Sequence, residues 1–397
     1  MKVKITGATA YGSVKAIPSK SYAHRISICN FLAGKNPKSG AEGVLSKDIT
    51  ATEDCLTRVM SGISALDCGE SGSTLRFLLP LLAAIGGKYT LIGHGKLMDR
   101  PNDQLFKALN EHGVTTKKTD VIEIDGKLTA GEYKIRGDIS SQYVSGLLMA
   151  LPTLSADSKV VLTTPLSSAP YVDITIQVLE SFGVKIIKED YGYYVKGNQK
   201  YSGGILPEGD WSNAAFFLTL GAVAGDVTVT GLNTDSVQGD KRILDVLQLA
   251  GANVSVSEDQ VRVKKSDLKG FTFDFEDCPD MVPIASVIAA SAKGTSVIKN
   301  IERLRIKESD RVKTTMDMLN SFGIRSECDG KNLTVHGGRV ISGVAESFND
   351  HRIAMSAAVL ATVADGESVI NDAAAVNKSY PEFYKHLTKV GGRVIEL

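Results

Sequence analysis

The feature that most restricts how this chain can fold is a repeat. Five times an apolar-periodic helix closes on Leu-x-x-x-Gly, and the glycines, Gly113, Gly183, Gly251, Gly323 and Gly391, stand 70, 68, 72 and 68 residues apart. Glycine at that place suits a left-handed helix C-cap, a conformation that strains other residues. β-rich text follows each helix, including Val121-Ile122-Glu123-Ile124-Asp125-Gly126, Tyr191 to Lys196, Val254 to Val263 and Leu333-Thr334-Val335.

A second, more apolar class of helix lies between these units: Ser21 to Leu32, Ser73 to Ala84, Ser141 to Leu151, Ser212 to Val223, Met281 to Ala292 and Asp350 to Val363. Each is almost wholly apolar after its first turn and so belongs in a core. Each also opens near a Ser, Asp or Asn, as capped helices do. The text therefore reads as six βαβαββ-like units, the first shorter because about fifty residues separate its buried helix from the next.

A chain of 397 residues is too long for one ordinary core. Two domains of three units each are expected, the second starting near Pro207-Glu208-Gly209-Asp210. The strand-like text from Lys2 to Ile17 is expected to pair with the second domain, giving residues 17–208 for one domain and 1–16 with 209–397 for the other. Two crossings side by side would form a hinge.

Charge is concentrated in Arg305-Ile306-Lys307-Glu308-Ser309-Asp310-Arg311, between strand-like Gly294 to Ile301 and a helical pattern over Val312 to Phe322. Alone, such a run reads as a solvated face. It does not stand alone. Helix starts elsewhere carry Ser19-Lys20-Ser21 with Arg25, Gly69 to Thr74 with Arg76, Asp99-Arg100-Pro101, Ser140-Ser141-Gln142, Ser167 to Tyr171, Asp280, Asn349-Asp350-His351-Arg352, and Asn377-Lys378-Ser379-Tyr380-Pro381. A cation in a helix's first turn opposes the helix dipole, at a cost of a few tenths of a kcal/mol, unless an anion is bound there. Repetition of that arrangement points to a highly charged anionic ligand in a cleft lined by Lys20, Arg25, Arg100, Lys307, Arg311, Arg352 and Lys378. By contrast Ser73, Ser212 and Asp173 read as caps, Arg76 as a partner of Glu70, and His24 and His351 as orienting or surface residues.

Several classes are disfavoured. The 45 basic and 45 acidic residues balance, which argues against a nucleic-acid or membrane binder. Neither a Walker loop nor GxGxxG opening a helix is present. The five cysteines form no CxxC pair or Cys/His cluster, so reduced thiols, a cytoplasmic setting and no metal site are expected.

Taken in order over residues 19 to 384, these motifs resemble those of the 5-enolpyruvylshikimate-3-phosphate synthases, members of the enolpyruvyl transferase family. The resemblance implies an α/β fold of two inside-out barrel domains with threefold pseudo-symmetry. It implies transfer of the enolpyruvyl group of phosphoenolpyruvate to the 5-hydroxyl of shikimate 3-phosphate, with release of phosphate, in aromatic amino-acid synthesis. By motif, Lys20, Ser21, Arg25, Ser140, Ser141, Ser168, Tyr171 and Lys307 fall at shikimate-phosphate contacts, with Gln142 between the substrates. Gly72, Arg100, Arg311, Arg352 and Lys378 fall around phosphoenolpyruvate, with Lys20 reaching both. Asp280 is the implied base for the 5-hydroxyl, and Glu308 with Lys378 the groups for the vinyl methylene proton. Arg303 stands where the family commonly has Asn. The resemblance implies no metal or organic cofactor, and a monomer is expected. Two other readings are a sister transferase acting on UDP-N-acetylglucosamine and a non-catalytic phosphometabolite-binding protein. Against the first, the loop Gly93 to Arg100 lacks the Cys typical of that enzyme; against the second, an anion receptor gains nothing from Asp280 and Glu308.

Overall fold

The computed structural model describes residues 1–397, which divide into two compact units: Lys20–Pro207, and Met1–Ser19 with Glu208–Leu397. The crossings thus fall at 19/20 and 207/208, where the sequence suggested 16/17 and 208/209. Backbone pairing sets the shift. Pro18 bridges to Gly209, the Ser19 N–H donates to the Glu208 carbonyl at 2.8 Å, and the Asp210 N–H donates to the Ile17 carbonyl at 2.8 Å.

The first unit carries helices α1 (Lys20–Leu32), α2 (Lys47–Met60), α3 (Gly72–Ile85), α4 (Asp103–Asn110), α5 (Ser141–Ala150) and α6 (Pro170–Ser181). The other carries α7 (Trp211–Ala224), α8 (Ile243–Leu249), α9 (Val282–Ala290), α10 (Arg311–Ser321), α11 (His351–Ala361) and α12 (Phe383–Lys389). The odd-numbered helices of the first unit, with α7, α9 and α11, are the six expected apolar ones. Every residue of α9 and α11 is buried, and in α7 all but Ser212 are. Each unit has its own core.

Four of the five four-stranded sheets share one strand order, first-second-fourth-third; the fifth runs Val344–Glu346, Glu367–Asn371, Val3–Thr6, Arg393–Glu396, the N-terminal strand taking the place that the last strand in sequence holds in the others. In the sheet after α2, Ala65–Asp67 runs parallel to Gly87–Ile92 across the α3 crossover, and Val121–Gly126 and Val114–Lys118 complete it antiparallel. The N-terminal text completes two sheets of its unit. Ala10–Lys15 lies parallel to Gly225–Thr230, and Val3–Thr6 lies between Glu367–Asn371 and Arg393–Glu396. The five repeat glycines all have positive φ, from 75° to 99°, so each closes its helix in the left-handed region.

The first repeat departs from the expected six. It has two helices and no sheet: α1 leads through residues 33–46 into α2, and only residues 61–64 separate α2 from strand Ala65–Asp67. Four residues cannot supply a hairpin of two strands. The 33–46 segment is held instead by Glu53 of α2, 1% exposed, whose Oε1 accepts from the Ser39 N–H at 2.9 Å and from Ser39 Oγ at 3.0 Å. Its Oε2 meets Lys38 Nζ at 3.0 Å. No helix is long and apolar enough to cross a membrane.

Candidate active site

In the unit 20–207, the starts of α1, α3, α5 and α6 gather polar groups. Lys20, the first residue of α1, meets Asp48 Oδ2 of the α2 first turn at 2.8 Å. Arg25, one turn on, is buried and ties three helices. Its Nε donates to Thr175 Oγ1 at 2.7 Å, Nη2 to the Tyr171 carbonyl at 2.8 Å and Ser145 Oγ at 3.3 Å, and Nη1 to the Ser21 carbonyl at 2.6 Å. These acceptors are all neutral, so they fix the guanidinium in place without cancelling its charge. Burial lowers its pKa to about 10, which still leaves it charged at neutral pH.

Gly72 opens α3 behind its cap Ser71, whose Oγ accepts from the Thr74 N–H at 3.2 Å. A Cβ at Gly72 would stand 2.6 Å from Arg100 Nη1, so the glycine lets the guanidinium lie against the backbone at the helix start. Gln142 of α5 accepts from Arg76 Nη1 at 2.9 Å and donates to Ser73 Oγ at 2.9 Å. Arg76 also donates to Asn102 Oδ1 and to the Pro101 carbonyl, both at 3.0 Å, so it organises the 100–102 segment. Ser140 caps α5, accepting from the Gln142 N–H at 3.3 Å, and Ser141 beside it is buried. Ser168 is buried with φ of 57°, a left-handed conformation uncommon outside glycine.

One expected reading changes here and another narrows. Ser73 does not cap α3, because the helix starts at Gly72 and Ser71, two residues ahead of Ser73, holds the cap position. Of the two readings of His24, orienting or surface, its burial leaves the orienting one. Its Nδ1 lies 2.7 Å from Thr52 Oγ1, which lies 2.6 Å from Thr74 Oγ1, which donates to Ser71 Oγ at 2.8 Å. Burial, then Lys20 and Arg25, push the His24 pKa well below its ordinary value, so the ring is a neutral link in a hydroxyl chain joining α1, α2 and α3.

In the other unit, one network gathers Asp280, Lys307, Glu308, Arg311 and Arg352. The charged run leaves the strand Thr295–Lys299, makes a 3-10 turn over Glu302–Ile306 and enters α10 at Arg311, with Asp310 as cap. The Arg311 side chain is 1% exposed and meets three carboxylates: Asp280 Oδ1 at 2.7 Å, Glu308 Oε2 at 2.6 Å and Asp350 Oδ2 at 2.7 Å. Burial works against its charge, but the three anions more than offset this and raise its pKa. Asp280 Oδ1 also meets Lys307 Nζ at 3.2 Å, and its Oδ2 meets Arg352 Nη2 at 3.2 Å. Burial alone would raise the Asp280 carboxyl, yet Arg352, Lys307 and Arg311 together hold it well below the usual carboxylate range. Lys378 Nζ donates to the Asn349 carbonyl at 2.6 Å. It ends a 3-10 turn, Ala373–Lys378, ahead of α12, so it is not the first-turn cation that the sequence suggested; α12 begins only beyond Pro381, at Phe383.

Sequence reading missed the acidic partners. Asp350 appeared only as part of a helix start, and Asp48 was not singled out at all. The contact between Asp350 and Arg311 spans 39 residues, which no local pattern reports. Ser212, read as a cap, instead accepts from Arg352 Nη2 at 2.6 Å, while Asp210 caps α7 through the Asn213 N–H at 2.7 Å.

A family model for EPSP synthase (3-phosphoshikimate 1-carboxyvinyltransferase) matches residues 46–387. The chain belongs to the EPSP synthase family. Proteins named 3-phosphoshikimate 1-carboxyvinyltransferase from Clostridium novyi and Clostridium acetobutylicum are 38% and 39% identical to it, over 431 and 428 aligned positions covering 99% of this chain and 98% of each relative. Those alignments are longer than the 397 residues here, so the relatives carry segments this EPSP synthase family member lacks. Among solved structures, an EPSP synthase from Acinetobacter baumannii matches with a TM-score of 0.79 at 24% identity, over 100% of both chains. The enolpyruvyl transferase NikO from Streptomyces tendae matches with a TM-score of 0.77 at 16% identity, over 99% of this chain and 98% of that one. Likeness at these identities concerns the fold, which is the α/β class expected from the sequence.

Proposed function

We propose that this chain transfers the enolpyruvyl group of phosphoenolpyruvate to the 5-hydroxyl of shikimate 3-phosphate. The hydroxyl oxygen bonds to C2 of phosphoenolpyruvate while C3 takes a proton; loss of that C3 proton then expels phosphate and leaves the enol ether. The observation that carries this reading is Asp280, a carboxylate with Lys307, Arg311 and Arg352 all within 3.2 Å. With those partners Asp280 is a weak base. Substrate phosphates and carboxylates compete for the same three cations, and each one drawn away returns basicity to Asp280 as the 5-hydroxyl arrives.

Ser21, Arg25, Ser140, Ser141, Ser168, Tyr171 and Lys307 are assigned to shikimate 3-phosphate. Gly72, Arg100, Arg311, Arg352 and Lys378 are assigned to phosphoenolpyruvate, Lys20 and Gln142 serve both, and Glu308 with Lys378 moves the methylene proton. Two phosphates and two carboxylates bring on the order of five or six negative charges, which these cations and helix starts offset. No step of this addition and elimination calls for a metal or organic cofactor. The enzyme acts as a cytoplasmic monomer in this reading.

The family match favours this acceptor over UDP-N-acetylglucosamine. Phosphate release from phosphoenolpyruvate, measured with each acceptor in turn, tests the assignment. Release with shikimate 3-phosphate alone is expected; release only with the sugar nucleotide would move the chain to the sister activity, and release with neither would end the transferase reading.

A further inference from the structure

Arg352 is held on two sides. Asp280 takes one edge of its guanidinium, through Oδ2 at 3.2 Å and through its carbonyl at 3.1 Å from Nη1. The second side is less obvious. Arg352 Nη2 donates to Ser212 Oγ at 2.6 Å, and the Ser212 hydroxyl donates in turn to Asp240, a buried residue of the turn Gly239–Arg242. A hydroxyl has one proton. While it points at Asp240, the Ser212 lone pairs face Arg352; without an acceptor at 240 that proton is free to swing toward the guanidinium N–H groups. Ser212 is available for this because Asp210 caps α7 in its place. Burial pushes the Asp240 carboxyl up to about 6, partly opposed by Arg352, so at neutral pH it is ionised and able to accept.

We infer that Asp240, acting through the Ser212 hydroxyl, is a positioning residue that aims Arg352 at phosphoenolpyruvate. Asp280 is in competition for Arg352 and must give it up when the substrate binds, whereas the Ser212–Asp240 arm does not carry the reacting proton and can keep hold throughout. This inference rests on the reaction proposed above, with Arg352 on phosphoenolpyruvate. It makes phosphoenolpyruvate, and not shikimate 3-phosphate, sensitive to residues that touch neither.

Steady-state kinetics of Asp240→Ala, Ser212→Ala and the double variant test it. Each single change is expected to raise KM for phosphoenolpyruvate about 10- to 30-fold, the effect of losing a hydrogen bond to a charged group. KM for shikimate 3-phosphate should move much less. The double variant should be no worse than either single one, because the two residues act as one arm. Asp240→Asn keeps a carbonyl oxygen for the hydroxyl and should recover part of the loss, which a role in folding alone would not produce. If Asp240→Ala does not fold, Ser212→Ala carries the same expectation by itself. An active wild type with KM for phosphoenolpyruvate unmoved in these variants, or with losses that add in the double variant, would overturn this role alone. A wild type inactive with shikimate 3-phosphate would overturn the proposed reaction and this role with it.

Discussion

Asp280→Asn separates the two jobs assigned to one carboxylate, because the amide keeps the shape and discards both the charge and the basicity. Three cations lie at 2.7, 3.2 and 3.2 Å from this carboxylate. Arg311 keeps Glu308 and Asp350, so the change falls mainly on Lys307 and Arg352. Removing one partner from a buried ionic network costs about 3–5 kcal/mol, and the lower end applies here because the amide oxygen still accepts and the Asp280 side chain is 18% exposed. Urea unfolding should show that loss. It should also show shikimate 3-phosphate stabilising the variant more than the wild type, since an anion then supplies the missing charge. Turnover should fall by about 10²- to 10⁴-fold, the usual scale of general-base loss, while shikimate 3-phosphate still binds. A turnover number within about tenfold of wild type would refute Asp280 as the base. Stability indifferent to added anion would refute the charge argument independently.

Other outcomes follow from the same geometry. Gly72→Ala places a methyl 2.6 Å from Arg100 Nη1 and should displace that guanidinium, raising KM for phosphoenolpyruvate about tenfold; an unchanged KM would show that Arg100 does not serve that substrate. Asp350→Ala takes acceptors from Arg311, from Ser309 and from the first turn of α11, and should lower unfolding free energy by about 3–5 kcal/mol, a result under about 1 kcal/mol being contrary. His24 stays neutral when folded but takes up a proton near its ordinary value of 6.5 when unfolded, so the stability it contributes is complete above that pH and lost as pH falls below it. The slope is up to about 1.4 kcal/mol per pH unit, and urea titrations from pH 7 to 5 should show it weakened in His24→Gln.

Much of the fold was legible because the repeat is written in residues with local consequences. Leu319 to Gly323 announces a helix end whatever surrounds it, and Gly323 has φ of 75°. Apolar helices such as α9 show no polar face and so declare their burial. The first repeat misled, because its buried helix looks like the others while the text that would build a sheet is missing, and only the structure shows Glu53 fastening a loop instead. In the site, cations were visible because Lys20 and Arg352 sit in first turns, where they oppose the dipole. Their partners were not. Asp48, Asp240 and Asp350 are acidic residues near helix or turn starts, where acids are ordinary, and their pairing with Lys20, Ser212 and Arg311 arises from packing between distant segments.

The most direct test follows both phosphorus atoms at once by ³¹P NMR, with the wild-type protein, phosphoenolpyruvate and shikimate 3-phosphate. The expected record is loss of the phosphoenolpyruvate signal and growth of inorganic phosphate one for one, the phosphomonoester of the acceptor persisting while new enol-ether vinyl protons appear in the ¹H spectrum. Phosphate arising from the acceptor, or pyruvate accumulating without an enol ether, would mean that the chain hydrolyses phosphate esters and would contradict the transfer chemistry assigned to Asp280 and its cations.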